Sequence, residues 1–342
     1  MRRMLPKWED MKWTYSKAGV DLNKHHSMHS LAQNAIRRIA ESLGVKLIEG
    51  NFTRLIPLND VELTMHTDGV GTKSIIAWET RKLRVLGWDC VVGNVNDVAC
   101  DGVTPVAVVD YIAVSSNDTE AVNEVIKGVA DASLESNLAL LGGETAIMPD
   151  LINGIDVSCT VLGIRRKNSI RGINAGDLII GVESNGLHMN GYTLARKVLL
   201  GRFKLSDEVC GVQLADELLK PTLNYGKLLL RLYNDGLIKA AVNVTGGGFT
   251  KVKRVLGEMG VEFNVPEPPC IFNVIKEIGN VDWGEMYRVF NMGIGLMILV
   301  GEEEANRVET VINEFGLRHW LIGSVKGNGK LMVRLGNTAF NL

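Results

Sequence analysis

The sequence predicts a mixed α/β protein of two domains, on the basis of two observations. Strand-like and helix-like segments interleave along most of the 342 residues, which is typical of α/β architecture. A polar, turn-rich joint, RRKNSIRGINAGD, interrupts this alternation around residues 164–176, as the boundary between two domains would. We therefore expect an N-terminal domain over residues 1–166 and a C-terminal domain over residues 167–342.

The elements of the N-terminal half follow from their hydrophobic spacing. In RVLGWDCVVGNVNDVACDGV, apolar residues recur three and four positions apart, which predicts a helix. PVAVVDYIAV is rich in β-branched residues and predicts a strand. DTEAVNEVIKGVADASLESN begins with an acidic turn and predicts a second helix, and LALLGGE and DVSCTVLGIRR predict further strands.

The C-terminal half continues the alternation. AGDLIIGVES, AAVNVTGGG and NMGIGLMILV predict strands, the second of which enters a glycine turn. GYTLARKVLL, PTLNYGKLLLRLYNDG and EEEANRVETVINEFG predict helices.

The composition favours a soluble cytoplasmic protein. A formal net charge of -2 gives no reason to expect binding to nucleic acid or to an anionic membrane. No stretch approaches the roughly 18 uncharged apolar residues that a membrane span needs. The five cysteines are Cys90, Cys100, Cys159, Cys210 and Cys270. Because their number is odd and no pair has C-x-x-C spacing, we expect neither a zinc site nor a disulfide framework, and a reducing interior.

The turn HTDGVGTKS contains the first candidate site. It fits neither the P-loop pattern nor the dinucleotide-binding pattern. Gly69 and Gly71 allow a tight turn that brings backbone N–H groups near an anion. Asp68 would repel a phosphate unless a cation lies between them, which predicts a magnesium-bridged nucleotide. The alternative is a hairpin turn with a solvated Asp68 and Lys73.

Further acids strengthen this interpretation. Asn94, Asp97 and Asp101 are spaced three and four apart and share one face of the predicted helix, with Asp89 upstream. Asp110 ends the apolar run PVAVVD, and Glu144 ends LALLGGE, so we expect both at strand ends. Carboxylates in such a set suit a hard cation, which prefers oxygen ligands. The alternative is a solvated helix face with two loop acids.

Two glycine turns in the second half each lie between a strand and a helix. They are SNGLHMNG, residues 184–191, and TGGG, residues 245–248. Helix N-termini with glycine backbones bind anions through free N–H groups and the helix dipole. We expect a second phosphate here, on the substrate.

Several segments, taken in order, resemble the phosphoribosylformylglycinamidine cyclo-ligase family, also called aminoimidazole ribonucleotide synthetase or PurM. The matching stretches include YSKAGVDL, TDGVGTK, VNDVACDGVTPVAVVDYIAV, LLGGETAIMP, SNGLHMNGYTLARKVL, VTGGGFTKVKRV and EMYRVFNMGIGLM, and they run from about residue 15 to residue 325. TDGVGTK is shared by a superfamily of ATP-using enzymes, whereas GGETAIMP and MYRVFNMGIG are more specific to this family.

The resemblance implies a PurM-like fold in which the N-terminal sheets of a homodimer form a shared barrel. It implies an ATP-binding and dimerisation domain first, and a C-terminal α/β domain that completes the substrate cleft. It also implies Mg²⁺ held by Asp68, Asp89 and Asp97. The implied catalytic residues are Lys73, Asp110 and His188, with His188 as the candidate for proton transfer. The implied nucleotide-binding residues are Gly69, Gly71, Thr72, Lys73, Asn96, Gly142, Gly143 and Glu144. The implied substrate-binding residues are His188, Asn190, Thr245, Gly246, Gly247 and Gly248.

The implied reaction is the ATP-dependent closure of an imidazole ring. ATP phosphorylates the formamide oxygen of formylglycinamidine ribonucleotide, and an amidine nitrogen of the same molecule then attacks. The products are 5-aminoimidazole ribonucleotide, ADP and phosphate, as in de novo purine biosynthesis. Little covalent work falls to the protein, which mainly positions the reactants and neutralises charge.

The chain departs from the family pattern at several positions. Many relatives have histidine in place of Asn243, serine in place of Met189 and glutamate in place of Ile147. SLGVKLIEGNFTRLIP replaces the glycine-rich segment of bacterial relatives. Two alternatives therefore stay open: another ATP-using member of the superfamily, or a catalytically silent nucleotide-binding homologue.

Overall fold

A computed structural model describes residues 12–166 and 172–342, and these form two halves, each built on one sheet. The first sheet ends at Arg166 and the second begins at Leu178. The predicted boundary between residues 166 and 167 borders the stretch 167–171, which lies outside the described residues.

The first half contains four helices and six strands within residues 12–166. In chain order these are α1 Leu22–Leu43, β1 Ile48–Glu49, β2 Arg54–Leu58, β3 Val61–Gly69, α2 Lys73–Thr80, α3 Arg84–Cys100, β4 Thr104–Val114, α4 Thr119–Glu135, β5 Ala139–Ile147 and β6 Ile155–Arg166. The strand order is β1-β2-β3-β6-β4-β5, with β4 and β5 parallel and the other neighbours antiparallel. One edge of this sheet is therefore β5.

The second half is a seven-stranded sheet with helices and a small hairpin. Its elements are β7 Leu178–Glu183, α5 Tyr192–Leu199, β8 Glu208–Val209, β9 Val212–Gln213, α6 Leu214–Leu218, α7 Gly226–Asn234, β10 Ala240–Asn243, α8 Lys253–Leu256, β11 Gly260–Asn264, α9 Cys270–Ile278, α10 Trp283–Val289, β12 Ile294–Val300, α11 Ala305–Glu314, β13 His319–Lys326, β14 Leu331–Leu335 and β15 Thr338–Asn341. The strand order is β10-β12-β7-β13-β11-β14-β15.

Helix α3 lies at the centre of the molecule. Every residue from Asp89 to Cys100 is buried, because α3 packs on the first sheet and α4 on one side and on α7 and β10 on the other. A Cβ atom at Gly87 would lie 2.0 Å from the carbonyl oxygen of Val125, and one at Gly128 would lie 1.9 Å from that of Arg84. These two glycines therefore allow α3 and α4 to cross at backbone contact.

The predicted mixed α/β architecture is confirmed, with two corrections to individual strands. Strand β4 continues past Asp110 to Val114, and β5 continues past Glu144 to Ile147. These acids therefore stand inside strands rather than at strand ends. The strands tolerate them because Asp110 is only half-buried and Glu144 is exposed.

The expectation of no disulfide is wrong. Cys210, in the turn between β8 and β9, is bonded to Cys270 at the start of α9. The two cysteines are 60 residues apart in the chain, so no local spacing signals the pair. Disulfides occur in oxidising compartments and in the intracellular proteins of hyperthermophiles, so this bond does not assign a compartment. No helix among the described residues is long and apolar enough to cross a membrane.

Candidate functional site

A buried ion pair joins the two halves. The ammonium of Lys73, in the first turn of α2, donates to Asp89 Oδ2 at 2.5 Å, and both side chains are fully buried. It also donates to the carbonyl oxygens of His188 at 3.0 Å and Lys220 at 2.6 Å. Asp89 Oδ1 accepts from the backbone N–H of Thr222 at 2.8 Å. All three ammonium protons of Lys73 are therefore used, two of them on the C-terminal half.

Burial opposes the charge on both partners. It lowers the pKa of Lys73 and raises the pKa of Asp89, and in each case the attraction of the other partner opposes the shift. Lys73 and Asp89, which were predicted at the nucleotide phosphates and at a metal, face each other inside the protein in this structure. They tie the halves together.

The imidazole of His188 is also inside the protein. The residue has a positive φ of 60°, and its ring nitrogen Nε2 accepts from the backbone N–H of Asn185 at 3.0 Å. Burial, and secondarily the charge of Lys73, lower the pKa of His188 to about 3. The ring is therefore neutral near pH 7 and carries its proton on Nδ1, which has no hydrogen-bond partner among the described residues. The side chain is buried, and the role of His188 in proton transfer stays a prediction.

Asn96 has a similar inward role. Its amide group donates to the carbonyl of Leu223 at 2.8 Å and accepts from the N–H of Tyr225 at 2.8 Å. Asn96 and Asp89 thus fix the backbone of residues 222–225, which precedes α7. The contact of Asn96 with a nucleotide stays a prediction, and in this structure both ends of its amide bond the C-terminal half.

Two other predicted acids do lie together. Asp68, near the end of β3, is open to solvent, and Asp97 is on the last turns of α3. Crowding by the surrounding protein and the nearby Asp97 raise the pKa of Asp68, although its Oδ1 accepts from the N–H of Gly69 at 2.8 Å. A second carboxylate close to Asp68 makes this a place that favours a bound cation.

His66 and Asn94 support this acid pair. Asn94 donates to the carbonyl oxygens of Cys90 and Asp68, so its Oδ1 accepts from His66 Nδ1 at 2.7 Å. That assignment leaves His66 Nε2 directed toward Asp97 Oδ2, at 3.6 Å.

The C-terminal half faces the same pair with an amide, a hydroxyl and a glycine turn. Asn243, at the end of β10, donates from Nδ2 to Asp97 Oδ1 at 2.7 Å. The hydroxyl of Thr245 accepts from the ammonium of Lys251, whose pKa is lowered by burial and raised by Asp97. A Cβ atom at Gly246 would lie 3.3 Å from Asn190 Oδ1, so the two glycine turns meet here. We call the group formed by Asp68, Asp97, Asn190 and residues 245–248 the inter-domain site.

Glycine is required at two points of this site. Gly247 and Gly248 have φ of 95° and 52°, and a Cβ atom at Gly248 would lie 2.2 Å from the carbonyl oxygen of Tyr287. The turn that the sequence predicts is therefore a close backbone approach that other residues could not make.

The start of α2 borders the site. Gly71 is exposed with φ of 66°. The hydroxyl of Thr72 lies 3.1 Å from that of Thr193 at the start of α5, so this contact also crosses between the halves.

The predicted nucleotide residues on β5 lie further away. In the first sheet, Asp68, Cys159, Asp110 and Gly143 form one row across neighbouring strands. Strand β6 separates Asp68 from Asp110, which are therefore roughly 10 Å apart. Burial raises the pKa of Asp110. Glu144 pairs with Tyr111 on the opposite face of the sheet, and Gly142 is a positive-φ residue beside a bulge.

Sequence reasoning assigned no role to His66, Lys251 or the Asn243 amide. His66 begins the segment HTDGVGTKS, and Lys251 lies in a basic segment, but neither has a spacing that predicts a contact with Asp97. No group of three or more His, Cys, Asp or Glu side chains in the described parts of the chain is arranged to hold a metal. The Asp68–Asp97 pair does fit Mg²⁺, which commonly binds one or two carboxylates together with substrate phosphates and water.

Comparisons with known proteins agree with this architecture. Two family descriptions match: AIR synthase related protein, N-terminal domain, over residues 53–165, and AIR synthase related protein, C-terminal domain, over residues 174–336. The chain is 42% identical to the phosphoribosylformylglycinamidine cyclo-ligase of Saccharolobus solfataricus, over 92% of this chain and 94% of that protein. It is 39% identical to the enzyme of the same name from Pyrococcus horikoshii, over 88% and 92%.

Solved structures share the fold at low sequence identity. A thiamine-monophosphate kinase from Stenotrophomonas maltophilia has a TM-score of 0.62 and 17% identity, covering 89% of this chain and 95% of that chain. PurL from T. maritima complexed with ADP has a TM-score of 0.60 and 15% identity, covering 87% of this chain and 45% of that one.

Breaking the buried ion pair on one side should be strongly destabilising. We expect Lys73→Met to lower the free energy of unfolding by about 3–5 kcal/mol, because it leaves the Asp89 carboxylate buried without a partner. The double variant Lys73→Met/Asp89→Asn should lose less than Lys73→Met alone. Urea unfolding at fixed protein concentration measures both quantities. A double variant less stable than Lys73→Met would contradict a coupled pair.

The buried neutral His188 predicts a specific loss of stability in acid. Its pKa is about 3 in the folded protein and 6.5 in the reference state, so below pH 6.5 the unfolded chain binds a proton that the native chain does not. Stability conferred by this residue is complete above pH 6.5 and falls by about 1.4 kcal/mol per pH unit below it.

We expect the wild type to lose about 2 kcal/mol more than His188→Gln between pH 7 and pH 5. Urea unfolding at both pH values gives this difference. Parallel losses in the two proteins would mean that His188 is protonated in the native state.

Proposed function

The chain belongs to the phosphoribosylformylglycinamidine cyclo-ligase family, and on that premise we propose that it closes the ring of 5-aminoimidazole ribonucleotide with ATP. The substrate is formylglycinamidine ribonucleotide, and the co-products are ADP and phosphate. The observation that carries this proposal is the Asp68–Asp97 pair opposite the glycine turn 245–248. We assign the pair as a cation site and the turn as an anion site, on the two sides of the domain boundary.

The reaction requires little covalent chemistry from the protein. The formamide oxygen of the substrate takes the γ-phosphoryl group of ATP, and ADP leaves. An amidine nitrogen then attacks the activated carbon, the carbon–oxygen bond breaks, and phosphate leaves with the former formamide oxygen. The nitrogen loses a proton as the ring forms. The chain has to hold two anionic ligands in line and exclude water between them.

The acid pair supports a magnesium site. Asp68 and Asp97 would hold Mg²⁺ together with nucleotide phosphates, and the ion would neutralise charge on the transferred group. Asn243 restrains Asp97 from the C-terminal half, and Asn94 restrains the backbone of Asp68 from α3. In this proposal Asp89 is not a ligand, because Lys73 and Thr222 already occupy its carboxylate.

The glycine turn supports a phosphate site on the opposite side. Residues 245–248 bring backbone close to the site, with Asn190 beside Gly246. We assign the substrate phosphate to this turn. Lys73 and His188 then act as positioning residues, since they hold α2 to the segments around residues 188 and 220.

A second copy of the chain would complete the nucleotide side. No residue of β5 is buried, and its outer edge is unpaired within the described residues. Met65 is 72% exposed and Leu141 68% exposed on the same sheet. Exposed apolar surface beside an unpaired edge is typical of a strand that pairs with another chain. We propose a homodimer with a shared barrel, which would bring a covered groove to Asp110, residues 142–143 and Glu144.

If β5 pairs with a second copy, a charged side chain placed on this strand should separate the dimer into monomers. We expect the wild type to sediment at twice its chain mass of 37.4 kDa, and Leu141→Asp to sediment as a monomer. Leu134→Asp is the matched control, since Leu134 is 78% exposed on α4. Equal masses for the wild type and Leu141→Asp would contradict a dimer built on β5.

Activity itself is tested with ATP, magnesium and formylglycinamidine ribonucleotide. We expect ADP and the aminoimidazole product to form in equal amounts. Asp97→Asn should lower the rate by about 10²-fold while the protein stays folded, because the amide cannot supply the charge that holds the cation. Asp150→Asn, at an exposed loop position, is the control and should leave the rate unchanged.

The remaining alternatives give different outcomes in the same assay. Another ATP-using member of the superfamily would form ADP only with a different acceptor. A thiamine-monophosphate kinase, which has the same fold, is an example of such an enzyme. A silent homologue would bind ATP and form no ADP. The domain bounds 1–166 and 167–342 and a cytoplasmic location stay predictions from the sequence.

A further inference from the structure

The segment SLGVKLIEGNFTRLIP, residues 42–57, is held by one carboxylate. Asp101, directly after α3, accepts from the backbone N–H groups of Asn51 at 2.9 Å, Phe52 at 3.0 Å and Thr53 at 2.7 Å. The hydroxyl of Thr53 donates to the same carboxylate at 2.8 Å. Asp101 was expected on the acidic face of α3, and here its charge is committed to fixing residues 51–53.

This fixed segment presents one aromatic ring to two cations of the C-terminal half. The Nζ atom of Lys251 lies 5.2 Å from the centre of the Phe52 ring, and the Cζ atom of Arg254 lies 5.3 Å from it. Both distances are within the range of a cation–π interaction. The ring is half-buried, so it provides a stable surface for the side chain of Lys251.

The ammonium of Lys251 lies between the two parts of the inter-domain site. It donates to the hydroxyl of Thr245, at the head of the glycine turn. Asp97 and Asp68 are near enough to stabilise its charge, yet within residues 12–166 and 172–342 neither carboxylate is within ion-pair distance of it. An ammonium has three N–H donors, so two remain after the bond to Thr245.

We propose that Lys251 binds a phosphate oxygen in the inter-domain site and that Phe52 positions its ammonium. This rests on the proposed function and extends it to residues to which the family resemblance gave no role. Two phosphate groups could supply the oxygen: the phosphate of the ribonucleotide, and the γ-phosphate of ATP. Both are oxyanions that an ammonium beside a glycine turn would bind, and binding measurements distinguish them.

Calorimetric titration with ATP and magnesium, and separately with formylglycinamidine ribonucleotide, tests the proposal. We expect Lys251→Met to weaken binding of one of the two ligands at least tenfold, and that ligand identifies the phosphate. If neither Kd changes and kcat falls at least tenfold, Lys251 contacts the phosphoryl group during transfer. Lys253→Met is the matched control, because Lys253 is exposed two residues away. An unchanged Kd for both ligands together with an unchanged kcat overturns the proposal.

The positioning role of Phe52 has its own test. Phe52→Leu keeps an apolar side chain and removes the ring, so we expect it to weaken the same ligand as Lys251→Met by about three- to tenfold. Phe52→Tyr keeps an aromatic ring, so it should bind that ligand as tightly as the wild type does. Equal binding by Phe52→Leu and the wild type, with thermal unfolding unchanged, overturns this part.

These outcomes separate the inference from the proposed function. If the wild type binds both ligands and forms no aminoimidazole, the cyclo-ligase assignment fails and the comparison of Kd values still decides the role of Lys251. If the wild type binds neither ligand, titration with inorganic phosphate decides it: weaker binding by Lys251→Met supports the inference, and equal binding overturns it.

Discussion

The structure depends on the burial of polar side chains along α3. A helix enclosed on every side must still satisfy each polar group that it carries, because an unpaired buried group costs about 1–3 kcal/mol and a buried charge costs more. Asp89, Asn96 and Asp97 find their partners on the C-terminal half, at Lys220 through Lys73, at residues 222–225 and at Asn243. The requirement to satisfy one helix therefore sets how the two halves are placed.

The same requirement separates two kinds of polar residue. Those whose hydrogen-bonding capacity is used internally, such as Lys73 and Asn96, fix segments that carry other groups. Those that keep free capacity, such as Asp68 and Lys251, lie where the halves meet. A ligand at this junction contacts both halves at once, so small changes in their packing alter its binding.

Much of the fold could be predicted because the spacing of apolar residues along the chain identifies individual helices and strands. The apolar period of α3 and the β-branched run of β4 identify these elements without any tertiary information. The partners of Asp89 could not be predicted, because they are 16 and 133 residues away. Asp68 and Asp97 were expected to share a site from their residue type, and their proximity followed from the packing of β3 on α3. Asp110 and Glu144 were wrongly placed at strand ends. A strand whose side chains reach solvent can continue through a charged residue.

The outer edge of β5, which no strand of residues 12–166 or 172–342 pairs, has a consequence for the newly made chain. An unpaired strand with apolar neighbours is a template for any extended segment that reaches it, including those of unfolded proteins. In the proposed homodimer a second copy covers this edge, so the time for which the edge is exposed lengthens as the concentration of the protein falls. The yield of soluble protein should therefore fall when the chain is present at low concentration together with other unfolded chains.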